Sequence, residues 1–248
     1  NSSFTVDLQP YGTKTVKALG LTSGQTFSDI FDISSTITDM SPTIGSITTQ
    51  ITILGNGFGA NENIQVDFGI TTGIQTTVTD GNGSFSTTFT INTQVYGTKS
   101  VKVTGESSNR TDYRDLKLVA RLWQVSPTTG TVGSRITVYG DGYDHLEIIK
   151  IRFGILGTVT TVSSVIQADG GVYSASFEVN TQVAGTCTIS AIGIESGKSN
   201  QITENTYWIT SKITGVSPAS GPVGTKVTVA GSGYSGAESV RISFGINQ

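Results

Sequence analysis

Ser126-Pro-Thr-Thr-Gly-Thr-Val-Gly-Ser-Arg-Ile-Thr-Val-Tyr-Gly-Asp-Gly-Tyr143 is the stretch that decides the fold, because the chain writes it three times. An earlier copy opens at Ser41-Pro42 and passes through Gly45, Ile51, Ile53, Gly55 and Gly57 to Phe58. A later one opens at Ser217-Pro218 and passes through Gly221, Gly224, Val227, Val229, Gly231 and Gly233 to Tyr234. Self-similarity at a fixed period marks a tandem array. Pro42 to Pro127 spans 85 residues and Pro127 to Pro218 spans 91.

A second recurring segment sits at fixed distance from the first. Phe89-Thr-Ile-Asn-Thr-Gln-Val-Tyr-Gly-Thr98 returns as Phe177-Glu-Val-Asn-Thr-Gln-Val-Ala-Gly-Thr186, and precedes itself as Phe4-Thr-Val-Asp-Leu-Gln-Pro-Tyr-Gly-Thr13. These offsets divide the chain into four pieces. Residues 1–36 read as the last third of a repeat, 37–122 and 123–213 as complete repeats, and 214–248 as the start of another. The expectation is a slice of a longer array.

Within a repeat the apolar period is two, the mark of half-buried strands. Ile64, Val66 and Phe68 alternate with Gln65 and Asp67. Their counterparts Ile149, Ile151, Phe153 and Val240, Ile242, Phe244 keep the apolar side while the other side varies, as a core face requires. Asp80-Gly-Asn-Gly83 between two such runs predicts a hairpin turn. Seven or so short strands in 85–91 residues, with turn signals every 8–12, predict an all-β chain of tandem immunoglobulin-like β-sandwich domains.

Composition agrees. Thirty-one of the 248 residues are Gly and only 13% are charged. A net charge of −3 offers no basic footprint, which argues against nucleic acid as a partner. No apolar run reaches a membrane span, and Asn1-Ser-Ser-Phe4 has no basic region leading into a hydrophobic one. One cysteine, Cys187, forms no internal disulfide.

The string Ser-Pro-x-x-Gly-x-x-Gly-x-x-(Ile/Val)-Thr-(Ile/Val)-x-Gly-x-Gly-(Phe/Tyr) resembles the IPT/TIG-like immunoglobulin domains of bacterial and archaeal cell-surface proteins, S-layer and adhesin-like polypeptides among them. Asp80-Gly-Asn-Gly-Ser-Phe85 and Tyr96-Gly-Thr-Lys-Ser-Val-Lys-Val103 are similar to such modules too. The resemblance covers nearly the whole chain. It implies an extracellular, cell-surface or envelope setting and a structural, non-enzymatic role, and carries over no catalytic residue.

Candidate sites are few. Gly231-Ser-Gly-Tyr-Ser-Gly236 matches a dinucleotide-binding pattern, but that motif needs a strand feeding a helix, and here a strand follows. The turn at Asp80 mimics the opening of a calcium loop but holds Phe85 and Ile91 where glycine and a bidentate glutamate belong. Asp141-Gly-Tyr-Asp144-His145-Leu-Glu147 is the densest run of oxygen donors, and Glu147 recurs as Glu62 and Glu238. Asp141, Asp144, Glu147, Glu62 and Glu238 are therefore the candidate calcium ligands. His145 has Ala60 and Gly236 as its counterparts, which argues against a transition metal. Cys187 stands where other copies have Lys14 and Lys99, and reads as a half-buried residue at the edge of the core. A Lys99 isopeptide staple is disfavoured for the same reason. Trp123 and Trp208 lie near the repeat joints, where domain packing explains them and cell-surface glycans are the other partner class. Asn82 and Asn109 fit the N-glycosylation pattern, as does Asn1.

The reading is a structural repeat region of a prokaryotic surface protein, forming an S-layer or sheath by self-association between copies. Its alternatives are the spacer stalk of an adhesin, an accessory module of a secreted polysaccharide-active enzyme, and a shared sandwich completed between subunits by residues 1–36 and 214–248.

Overall fold

Alternation along Gln50–Asn56 and Asn63–Phe68 sends successive side chains to opposite faces. Ile51, Ile53, Ile64, Val66 and Phe68 take one face and are fully buried. The computed structural model describes residues 2–155, 160–166, 169–197 and 205–245. It divides into two compact units, Asn1–Val119 and Ala120–Gln248.

The first unit opens with an antiparallel hairpin, β1 (Gly12–Leu19) and β2 (Thr26–Ile33). A complete sandwich follows, built from β3 (Thr36–Ser41), β4 (Ile44–Gly45), β5 (Gln50–Asn56), β6 (Asn63–Phe68), β7 (Thr71–Val78), β8 (Phe85–Thr90), β9 (Gly97–Gly105) and β10 (Thr111–Leu118). One sheet is ordered β3-β5-β8 and the other β4-β10-β9-β6-β7, with only β4 and β10 parallel. The chain changes sheet between β3 and β4, across the Ser41–Pro42 bond. That bond is cis, as are Ser126–Pro127 and Ser217–Pro218.

The second unit repeats the plan with β11 (Arg121–Ser126), β12 (Thr129–Gly130), β13 (Arg135–Asp141), β14 (Ile148–Gly154), β15 (Thr160–Ile166), β16 (Tyr173–Glu178), β17 (Gly185–Gly193) and β18 (Asn205–Ile209). Its sheets run β11-β13-β16 and β12-β18-β17-β14-β15. An antiparallel pair, β19 (Lys212–Ser217) and β20 (Thr228–Ser232), closes the unit. The chain is all-β, as expected. Among the described residues the one helical turn is a 3-10 turn at Asp169–Gly171, and no helix is long and apolar enough to cross a membrane.

Register repeats as closely as sequence does. Ile37 faces Gly55, Leu122 faces Gly140, and Ile213 faces Gly231; each ladder then skips one residue, at Thr38, Trp123 and Thr214. Such a bulge bends the strand locally. Each core is pinned by two ring pairs at equivalent places. Phe58–Phe85 and Phe68–Phe89 have centroids 5.5 and 5.4 Å apart, and Tyr143–Tyr173 and Phe153–Phe177 both lie at 5.4 Å. Gly55 and Gly140 are bare because any Cβ would enter the Phe85 or Tyr173 ring. Ala120 and Leu122 belong to the second core.

Two expectations need correction. Asp80-Gly-Asn-Gly83 is not a hairpin, since β7 pairs with β6 and β8 pairs with β5. The turn crosses from one sheet to the other. Asp80 Oδ1 accepts the amides of Asn82 at 2.8 Å and Ser84 at 2.9 Å, so its turn chemistry is local, while strand partners are chosen by burial across the sandwich. Cys187 lies fully buried inside the second core rather than half-buried at its edge, because β17 continues its inward alternation one step further than β9.

Each unit encloses its own cluster of buried side chains. Phe68→Ala should cost the first sandwich about 3–5 kcal/mol. Both tryptophans lie in the second unit, so denaturant unfolding followed by tryptophan fluorescence should stay unchanged while the far-UV circular dichroism transition splits.

Candidate functional site

At one end of the first sandwich the β5–β6 and β9–β10 turns converge on a single carboxylate. Glu62, 4% exposed, accepts the amides of Gly59, Ser107 (3.2 Å) and Ser108 (2.9 Å), and the Ser108 hydroxyl at 2.8 Å. Its own amide donates to Thr79 Oγ1 at 2.9 Å. Gly105 ends β9 without a side chain because a Cβ would lie 2.5 Å from Glu62 Oε1. A buried carboxylate is tolerated only with such donors around it. The arrangement recurs: Glu147 accepts Asp144 N at 3.0 Å and Ser196 N at 2.7 Å, and Glu238 accepts Ser235 N at 2.8 Å.

This geometry bears directly on the five carboxylates singled out as calcium ligands. A hard cation needs several oxygen lone pairs converging on one point. The lone pairs of Glu62 and Glu147 are directed at N–H and O–H donors instead. Asp141 faces Arg121 across the β11–β13 ladder, with Nε 2.9 Å from Oδ1 and Nη2 3.0 Å from Oδ2. Burial pushes the Asp141 carboxyl up, and the Arg121 contact pulls it only part of the way back. Asp144 Oδ1 accepts the His145 amide at 2.8 Å, and His145 is exposed. Among the described residues no three His, Cys, Asp or Glu side chains gather as a metal group would.

Beside the glutamate lies the joint with the preceding piece of chain. The linker Ser34–Ser35 passes over Gly57, whose φ of 70° suits glycine and where a Cβ would strike Ser34 O. The later copy does the same: Gly233, φ 73°, would bring a Cβ within 2.7 Å of Thr210 O. On the first joint Tyr11 N donates to Phe58 O at 2.9 Å, and Pro10 packs so closely that a Cβ on Gly83 would reach 3.0 Å from its Cα. The Arg110 guanidinium lies 5.2 Å from the Tyr11 ring centroid, within cation–π range.

The bulged entry of β3 is tied down from β10. Asp112 Oδ2 accepts Ile37 N at 2.7 Å and Thr36 Oγ1 at 3.1 Å, while Arg114 Nη2 donates to Ile37 O at 2.6 Å. In the second sandwich Asn205 Nδ2 donates to Leu122 O at 2.7 Å. Burial alone would raise the Asp112 pKa. The amides of Ile37 and Tyr113, the Thr36 hydroxyl and the Arg114 charge together outweigh it, leaving the carboxyl below its ordinary value.

The remaining candidates are scattered. Burial pushes the Cys187 thiol up to about 11, so it is protonated and unreactive at neutral pH. Lys99 is half-buried on β9. Trp123 occupies the bulge and packs 5.4 Å from the Tyr139 ring; Trp208 is half-exposed on β18. Asn82 and Asn109 sit exposed in turns, Asn109 with φ 54°. Asn1 lies outside the described residues. Sequence reasoning missed the joint contacts of Tyr11, Arg110 and Asp112. The amide donors of the recurring glutamate were missed as well. The signal was present in Gly105 and Gly193, each followed within three residues by the serine whose amide reaches that glutamate.

No family model and no curated protein matches the chain. Solved structures do. The D0–D1 domains of intimin align at 16% identity and TM-score 0.29, over 70% of this chain and 99% of that one. Invasin, a bacterial integrin-binding protein, aligns at 18% and 0.30 over 83% of this chain and 42% of its own. The BSP domain of a biofilm-associated protein aligns at 14% and 0.24 over 71% and 29%. The chain thus spans less than half of the latter two structures.

Glu62→Ala leaves three amides in two turns without their acceptor and should cost the first sandwich about 2–3 kcal/mol, read from its denaturation midpoint. Asp112 gives a pH signature. With its folded pKa below the unfolded value of about 3.9, its contribution is present above that pH and lost as pH falls through the folded pKa. The stability gap between wild type and Asp112→Asn should therefore hold above about pH 4 and close as pH falls further.

Proposed function

We propose that the chain is a structural, non-enzymatic repeat region of a prokaryotic cell-surface protein, of the S-layer or sheath-forming kind, assembling by self-association between copies. Residues 1–36 and 214–248 are read as parts of further sandwiches in the same array. The observation that carries the proposal is the joint. Gly57 receives the Ser34 carbonyl, Phe58 O receives the Tyr11 amide, and Arg110 covers Tyr11. A chain of independent binding modules has no use for backbone contacts that fix one sandwich against the next. A load-bearing array does.

The recurring glutamate supports the same reading. In the two complete sandwiches it is a buried carboxylate that holds turns beside the joint, and it returns, exposed, as Glu238. The fold resemblance of the repeated Ser-Pro and Gly-x-Gly string supports the surface setting.

Immunogold electron microscopy of native envelopes, with antibody against the repeats, tests the proposal. Label over a regular two-dimensional layer is the expected result. Label on isolated projecting fibres would replace the lattice with an adhesin stalk. Protein found only in the medium would reject both in favour of a secreted accessory module.

A further inference from the structure

The bulge on β11 also re-aims a tryptophan. Trp123 and Gln124 together oppose the single residue Tyr139 of β13, where the ladder skips from Leu122 to Gln124. Both side chains lie on the outer side of the sheet and both are exposed. The Trp123 and Tyr139 rings have centroids 5.4 Å apart and planes 30° apart. That is an offset stack, in which Tyr139 supports one face of the indole. Trp123 nonetheless stays 45% exposed. At the same two places the first sandwich has Thr38 and Leu54, and the β19–β20 pair has Thr214 and Ala230. The aromatic pair is therefore an addition to the repeat, not a requirement of its packing.

Around the rings the outer face of β11, β13 and β16 is polar and neutral. Thr137 and Ser176 oppose each other with hydroxyl oxygens 2.9 Å apart, and Ser174 opposes Tyr139. Charge is confined to the two ends and is balanced there. Arg121 is bonded to Asp141 at one end of β13, and Arg135 opposes Glu178 at the other. Between those ends β13 runs seven residues, about 20 Å. All of these residues belong to the second sandwich, in which both sheets are formed.

This combination selects a class of ligand. One side of a pyranose ring carries C–H groups, and its rim carries hydroxyls. The C–H side is attracted to the electron-rich face of an indole. The rim matches serine, threonine and glutamine side chains, which both donate and accept. A protein partner fits the face poorly. Stable protein interfaces cover about 800 Å² a side around several buried anchors, and serine is depleted in them. Here one aromatic pair stands among hydroxyls. We infer that this face binds a neutral polysaccharide chain, with Trp123 as the stacking surface, Tyr139 holding it flat, and Gln124, Thr137, Ser174 and Ser176 as polar contacts. The inference goes beyond the array reading and does not rest on self-association.

Affinity electrophoresis of the 248-residue chain tests it, in gels that hold hydroxyethylcellulose, galactomannan, pullulan or the acidic polymer alginate. The expected result is retardation by at least one neutral polymer and none by alginate. Trp123→Ala should weaken that interaction about tenfold or more. Tyr139→Leu, which installs the first sandwich's residue, should weaken it to a smaller degree. Trp208→Ala should leave it unchanged, because Trp208 lies on the other sheet. Trp123 and Tyr139 both lie outside the buried core, so circular dichroism of their variants should match wild type. Unchanged migration in all three neutral gels overturns the inference, as does retardation that survives Trp123→Ala or appears with alginate alone. A Trp123-dependent dimer in sedimentation velocity, without retardation, overturns it too and gives the face to a second copy. The array reading is decided separately, by the labelling of envelopes.

Discussion

Inside each complete sandwich the inward residues of a three-stranded and a five-stranded sheet share one dry core, and every other feature is fitted around that contact. Ile51 and Ile53 from β5 meet the cluster that holds Val66, Val101 and Leu116. Burial of such side chains is the main driving force for folding. It fixes register, because a slip of one residue would turn the whole apolar set to solvent. The bulges at Thr38, Trp123 and Thr214 and the bare positions at Gly55 and Gly140 follow from that register. The bulge lets the first strand bend, and the missing Cβ admits an aromatic ring.

Above the core the problem is polar. Turns at the loop end must satisfy their amides without a sheet to pair with, and one buried glutamate does this for three amides in two turns. The cost of burying its charge is offset by four donors around two oxygens. With the turns held, Gly57, Phe58 and Gly83 present a fixed backbone surface, against which Tyr11 and the Ser34 carbonyl are seated. Local hydrogen bonding thereby becomes geometry between neighbouring pieces of chain.

Sequence repetition alone located most of this. The period of two on Ile64, Val66 and Phe68, the threefold Ser-Pro and Gly-x-Gly string and the recurring glutamate were all legible as an all-β array. The copies carry the same pattern because each must solve the same packing problem. What a linear pattern misreported was partnership. Asp80-Gly-Asn-Gly83 has the residues of a hairpin, yet its flanking strands pair in different sheets. Glu62 and Glu147 look like cation ligands beside other acidic residues, yet they face backbone amides.

The amino-acid sequence determined which residues face inward and how often the unit recurs, since side-chain alternation and repetition are properties of one strand at a time. Tertiary structure decided which turns meet around Glu62, that the second glycine of Gly55-Asn-Gly57 clears a carbonyl of the linker, and that Cys187 is sealed in the core. Those contacts join residues far apart in the chain. Their donors and acceptors are chosen by how the sheets stack, which no local pattern records.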